Sequence, residues 1–213
     1  MSLCFAISDA DWSITKDVIG IAISLCGLVL AAYVGIGGLK TWRKQIRGQN
    51  DHDLALRMLA ELYKFEMVLN AGRLRRIYQH EIKSEPLELP PDKYSTFRRV
   101  ELGFERRIDK LADSFASLSA LSLNAKALWG REIFDSIKEL QFLKDEYEEY
   151  VRIKLLSTDP TEPDDEKIDH RNELALRRDV FQHQLGFKKD DFGSELECVV
   201  ERIEALLSLK VIK

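Results

Sequence analysis

Apolar positions along this chain follow two different patterns. Residues 18–39, VIGIAISLCGLVLAAYVGIGGL, are a run of 22 without a charged, Asn, Gln or Pro residue. Beyond residue 48 the apolar positions become periodic instead. Leu54, Met58, Leu62, Phe65 and Leu69 recur at steps of three and four. Phe97, Val100, Phe104, Ile108, Leu111, Phe115 and Leu118 form almost a heptad seam, and Ile133, Ile137, Leu140, Leu143, Tyr147 and Val151 form another. Leu196, Val199, Ile203 and Leu206 make a last stripe. Such spacing puts apolar groups on one side of a helix. No stretch shows sustained alternation bounded by hairpin signals.

The continuous run is ~33 Å long as a helix, against a hydrocarbon core of ~30 Å. It predicts one membrane span. A buried core helix of a soluble protein is the alternative, and such helices are usually shorter. A cleaved signal peptide fits poorly, because the leader MSLCFAISDADWSITKD holds three Asp and one Lys where a positive n-region is required.

Breakers divide the periodic part. Segments 84–95, with three prolines, and 157–169, acidic with two, read as loops. Segment 185–194 reads as a third, with Ser194 and Glu197 at capping-box spacing for the next helix. Segment 121–127 is a weaker break: Asn124 caps a new helix there, or one helix continues with a kink. Asp51 reads as an N-cap rather than as a metal ligand in Asp51-His52-Asp53.

These elements predict an all-α protein, one N-terminal transmembrane helix followed by an elongated cytoplasmic helical bundle of about five helices. The organisation expected is a short extracytoplasmic N-terminus (1–17), the span (18–39), a basic juxtamembrane segment (40–48) and a cytoplasmic helical domain (49–213).

Charge then orients the span. Residues 1–39 carry net −2, 40–83 carry +5 and 84–213 carry −7. Lys40, Arg43, Lys44 and Arg47 crowd one flank and only Lys16 the other. The positive-inside rule therefore puts the N-terminus outside, with Trp12 and Trp42 at the two interfaces. The basic block implies anionic headgroups as neighbours. The acidic remainder argues against a nucleic-acid-binding domain.

Within the span, Gly20, Ser24, Gly27, Ala31 and Gly35 share a face through which helices can pack in lipid. That is a self-association face, or else the ordinary glycine content of a membrane helix. Arg99, Arg106 and Arg107 lie on roughly one helix face. They read as a solvated face paired with Glu101 and Glu105, or alternatively as an anion or partner patch.

Catalytic chemistry is not encoded in any recognisable spacing. HExxH, GxxxxGK[ST], GxSxG and GxGxxG are all missing. The four histidines are not paired at metal-ligand spacing, and Cys4, Cys26 and Cys198 give neither a zinc site nor a disulfide framework. No enzyme activity, catalytic residue, metal or cofactor is expected.

The stretch KTWRKQIRGQNDHDLALRMLAELYKFEMVLN resembles small bacterial single-pass inner-membrane proteins of uncharacterised activity. In these a Trp-Arg-Lys-Gln juxtamembrane motif joins one span to a helical cytoplasmic domain. The resemblance covers roughly residues 30–70 and implies topology and a bacterial inner-membrane location. Similar anchored helical proteins occur among phage-defence genes. Two functions follow as expectations: a membrane-anchored interaction or scaffold protein, self-associating and with a protein partner yet to be identified, or a membrane-perturbing effector triggered through its cytoplasmic domain.

Overall fold

The computed structural model describes residues 9–78, 81, 93–182 and 190–211, with side chains from residue 16 onward. The predicted loop at 84–95 lies almost wholly outside the described residues, as do the Trp12 side chain and part of 185–194. The described residues form five helices: α1 (Asp9–Gly72), α2 (Lys93–Trp129), α3 (Glu132–Leu156), α4 (Asp164–Leu176) and α5 (Asp191–Val211). No strand occurs among the described residues. The chain forms two compact units, Met1–Asn50 and Asp51–Lys213.

The described residues of the first unit are the N-terminal part of α1. It contains a segment long and apolar enough to cross a membrane, judged by length and composition. Helix α1 continues without interruption through residue 51. Asp51 is therefore not an N-cap. Its Oδ1 instead accepts a hydrogen bond from the Trp129 indole, at 3.0 Å. A helix interior leaves no free amide for an Asp side chain to cap, so the carboxylate finds a tertiary donor.

In the second unit, the apolar stripes meet in one core. Met58, Leu62, Phe65 and Leu69 of α1 pack with Leu111, Phe115 and Leu118 of α2, Ile133 to Val151 of α3, and Leu196 to Leu207 of α5. Helix α3 packs against α2, α4 and α5. Phe65 and Phe115 are tilted rings with centroids 5.5 Å apart.

Three boundaries differ from the sequence reading. The break expected at 121–127 falls at Gly130, which has φ +95° and donates its N–H to the Lys126 carbonyl at 3.2 Å. A left-handed residue just past a helix end is the usual role of glycine. Asn124 stays within α2. The predicted linker 157–169 is helical from Asp164, because Asp164, Asp165 and Glu166 fill the first turn of α4, where carboxylates suit the helix dipole. Helix α5 is capped by Asp190 rather than Ser194: its Oδ1 accepts the Gly193 N–H at 2.6 Å. The cap one turn earlier wins because Asp190 is held in place by a buried arginine.

That arginine is Arg73, at the first position beyond α1 and 2% exposed. Its Nε donates to the Val180 carbonyl at 2.7 Å, Nη1 to Asn70 at 3.3 Å and Nη2 to Asp190. The guanidinium also lies 4.9 Å from the centroid of the Phe192 ring.

Arg107 completes the same end of α1. It donates to the carbonyls of Gly72 at 3.2 Å, Leu74 at 2.5 Å and Arg76 at 2.7 Å. It also pairs with both carboxylate oxygens of Glu81, at 2.9 Å each. The Tyr147 hydroxyl donates to the Gly72 carbonyl at 2.7 Å. The last carbonyls of a helix have no partner within it, and these side chains supply them.

Removing one partner of a buried pair strands the other charge. Arg73→Leu is therefore expected to cost about 3–5 kcal/mol. Loss of the half-buried, solvent-accessible Arg98–Glu101 pair in Arg98→Ala is expected to cost under about 1 kcal/mol. Urea unfolding of the full chain, followed by circular dichroism, measures both.

Candidate functional site

A segment without helix, residues 177–182, follows α4. It is fastened at several points. Gln182 donates its amide to the Arg73 carbonyl at 3.1 Å, and Asp179 pairs with Arg75. Arg177 bridges Glu149 and Glu173 at 2.9 and 2.8 Å. Arg178 bridges Glu146 and Glu195, both at 2.5 Å. These carboxylates lift both guanidinium pKa values further above their ordinary range, with the hydrogen bonds to Glu149 and Glu146 the largest causes. Phe181 is buried against Phe104, Tyr147 and Tyr150, with centroids 5.7, 6.5 and 5.6 Å away.

Between this strap, the start of α2 and the end of α3 lies a cavity of about 480 Å³. That size falls within the range of small-molecule sites. Phe97, Val100, Phe104, Tyr150, Leu155 and Phe181 form its apolar wall. Among the described residues, Lys93, Lys154 and Arg75 supply cationic groups and Asp179 the one carboxylate.

The Asp179 charge is already matched. It pairs with Arg75, accepts the Phe181 amide at 3.0 Å and is hydrogen-bonded to Tyr150. Burial, followed by the Asp179 charge, pushes the Tyr150 phenol pKa up, which keeps it a donor. Lys93 and Lys154 have no ion pair among the described residues. The described residues thus make the cavity an apolar chamber with surplus positive charge.

The residues singled out from the sequence are dispersed. Lys40, Trp42, Arg43, Lys44 and Arg47 are exposed along α1, as are Gly20, Ser24, Gly27, Ala31 and Gly35. A Cβ placed at Gly20, Gly27 or Gly35 would meet no atom within 4 Å. Of the three α2 arginines singled out, Arg99 is exposed and Arg107 buried. Arg106 donates to the Glu81 carbonyl. Arg106 and Arg107 therefore converge on Glu81, inside the fold, and Arg99 does not join them.

The cavity residues were not among the candidates. Their signal was present in the α2 seam: Phe97 is half-buried and Val100 is 37% exposed, although both continue the stripe that is buried at Phe104, Leu111 and Leu118. Comparison with family models, curated proteins and solved structures found no match. Among the described residues, no group of three His, Cys, Asp or Glu side chains is placed to hold a metal ion.

A separate carboxylate cluster joins α1 to α5. Burial pushes the Glu66 pKa above its ordinary 4.5, and the charges of Glu197 and Glu204 add to this. Tyr63 hydrogen-bonds to Glu204. A raised carboxyl pKa means that the folded state resists ionisation. The cost is present above the folded pKa and vanishes below the unfolded one. Glu66→Gln should therefore melt at a higher temperature than wild type near pH 7. The gap should close as the pH falls through the ordinary carboxylate range, and thermal scans across that range check it.

Proposed function

We infer that this chain is a single-pass membrane protein whose helical bundle serves as an interaction module, assembling with further copies of itself and with a protein partner. The observation that carries this reading is exposure. Every side chain from Lys16 to Asn50 is exposed, including Ile23, Leu28 and Val34 at 67, 70 and 68%. Water-soluble proteins rarely leave so large a continuous apolar surface open. A bilayer accommodates it, because the helix satisfies its own backbone hydrogen bonds and presents only apolar side chains to lipid.

The basic cluster Lys40, Arg43, Lys44 and Arg47, with Trp42, supports a cytoplasmic C-terminal side and an external N-terminus, in contact with anionic lipid. The resemblance over residues 30–70 supports a bacterial inner membrane. The small face Gly20, Ser24, Gly27, Ala31 and Gly35 supports association of spans. A membrane-perturbing assembly is less well supported, since one uncharged span per chain lines a polar pore poorly.

Reporters fused to each terminus, together with the mass of the detergent-solubilised chain, test this. The expected result is an external N-terminus, an internal C-terminus and an oligomer reduced by Gly27→Leu with Ala31→Leu. A chain recovered in the soluble fraction, or an internal N-terminus, would remove the anchor or its orientation.

A further inference from the structure

The cavity walled by α2, α3 and the 177–182 strap has a chemistry that the anchor reading does not use. We propose that it is a binding site for a small anionic amphiphile, an alkyl chain ending in a carboxylate or phosphate.

Each part of that ligand class answers a feature of the site. Six apolar side chains, four of them aromatic, enclose the chamber. Val100 remains 37% exposed and Phe97 half-buried, so apolar surface there is still open to gain contact. A hydrocarbon body supplies that contact. At the rim, the Arg75 charge is consumed by Asp179, but Lys93 and Lys154 have no such partner among the described residues. Among the described residues, two ammonium groups beside a single neutralised carboxylate favour a negative head group and disfavour a cation.

The body is better apolar than heteroaromatic. A nucleobase brings several polar edges into the site, and unpaired buried polar groups cost binding. The side chains lining the cavity offer few neutral partners beyond the hydroxyls of Thr96, Thr158 and Tyr150. Thr158 already donates to the Lys154 and Leu155 carbonyls, and Tyr150 is engaged with Asp179. An alkyl chain needs no such partners.

The site's position also explains why its wall is fastened so heavily. Phe181 closes one side, and its backbone is held by Asp179 on itself and by Arg73 through Val180 and Gln182. An apolar wall held open against collapse requires such fixed points, because cores otherwise close onto voids.

The test uses the full chain in nanodiscs of zwitterionic lipid, with empty discs subtracted. Calorimetry with octyl phosphate, octanoate, octanol and octylammonium reads the binding. One site per chain is expected for the two anions, with affinity rising by up to about fourfold per added methylene from butyl to octyl. Octanol should bind at least tenfold more weakly and octylammonium not at all.

Val100→Trp, which fills the chamber, should abolish binding. Lys93→Glu with Lys154→Glu, both exposed, should weaken the anions at least tenfold while leaving octanol unchanged. Lys138→Glu, on the exposed side of α3, should change nothing. Doping the discs with phosphatidylglycerol separates the two sources of ligand: competition with octyl phosphate would identify a bilayer lipid as occupant, and no competition a free alkyl anion. Both outcomes retain the shared chemistry. Equal binding of octylammonium and octyl phosphate, or binding that survives both Val100→Trp and the double lysine variant, would overturn the proposal.

Discussion

Two buried guanidinium groups dictate how the Asp51–Lys213 unit is put together. A desolvated arginine is tolerated only when nearly all its donors are met. Arg73 and Arg107 meet that demand at the end of α1, through Asn70 and the Gly72 carbonyl, and with carbonyls and carboxylates beyond it. Arg107 gathers the chain leaving α1, from Gly72 to Glu81. Arg73 reaches the strap at Val180 and the α5 cap at Asp190. Neither pair adds much stability over a well-packed apolar substitute of the same shape. What each adds is a set of directional bonds that ties the non-helical segments to the helix ends.

The cavity follows from that arrangement. Fixing Asp190 sets the start of α5, and fixing Val180 and Gln182 sets the strap. Phe181 is then directed into the rings of Phe104, Tyr147 and Tyr150. Arg178 and Arg73 both lie by the Phe192 ring, at 5.1 and 4.9 Å, tying the strap to α5 a second time. The α2 seam is buried at Phe104, Leu111, Phe115 and Leu118 and half-buried at Ile108, but it is less covered at Phe97 and Val100. The chamber is the space left where that seam outruns its partners.

Much of the helical content was legible in the amino-acid pattern, because a stripe such as Ile133 to Val151 is a local property. The core positions Met58, Leu62, Leu118, Leu140 and Ile203 were readable for the same reason, and all are fully buried or nearly so. Boundaries were less legible. Gly130 was overlooked, since a lone glycine within helical periodicity ends a helix in some contexts and not in others. Asp51 and Ser194 both looked like caps, and tertiary partners decided otherwise. The arginine fastenings were hidden because their partners are distant: Arg73 and Asp190 are 117 residues apart, and Arg75 and Asp179 are 104 apart. No spacing rule reaches that far. The cavity was illegible for a related reason, since it is defined by side chains that three separated segments fail to cover.

Hydrogen exchange of the full chain, wild type against Arg73→Met, tests the central claim most directly, namely that Arg73 holds the strap and the α5 cap in one arrangement. Methionine keeps much of the side-chain volume and removes the donors. Faster exchange concentrated in 177–182 and the first turn of α5, with 133–151 of α3 still protected, is the predicted result. Unchanged protection of the strap would show that it is held by its apolar contacts alone and would contradict the account.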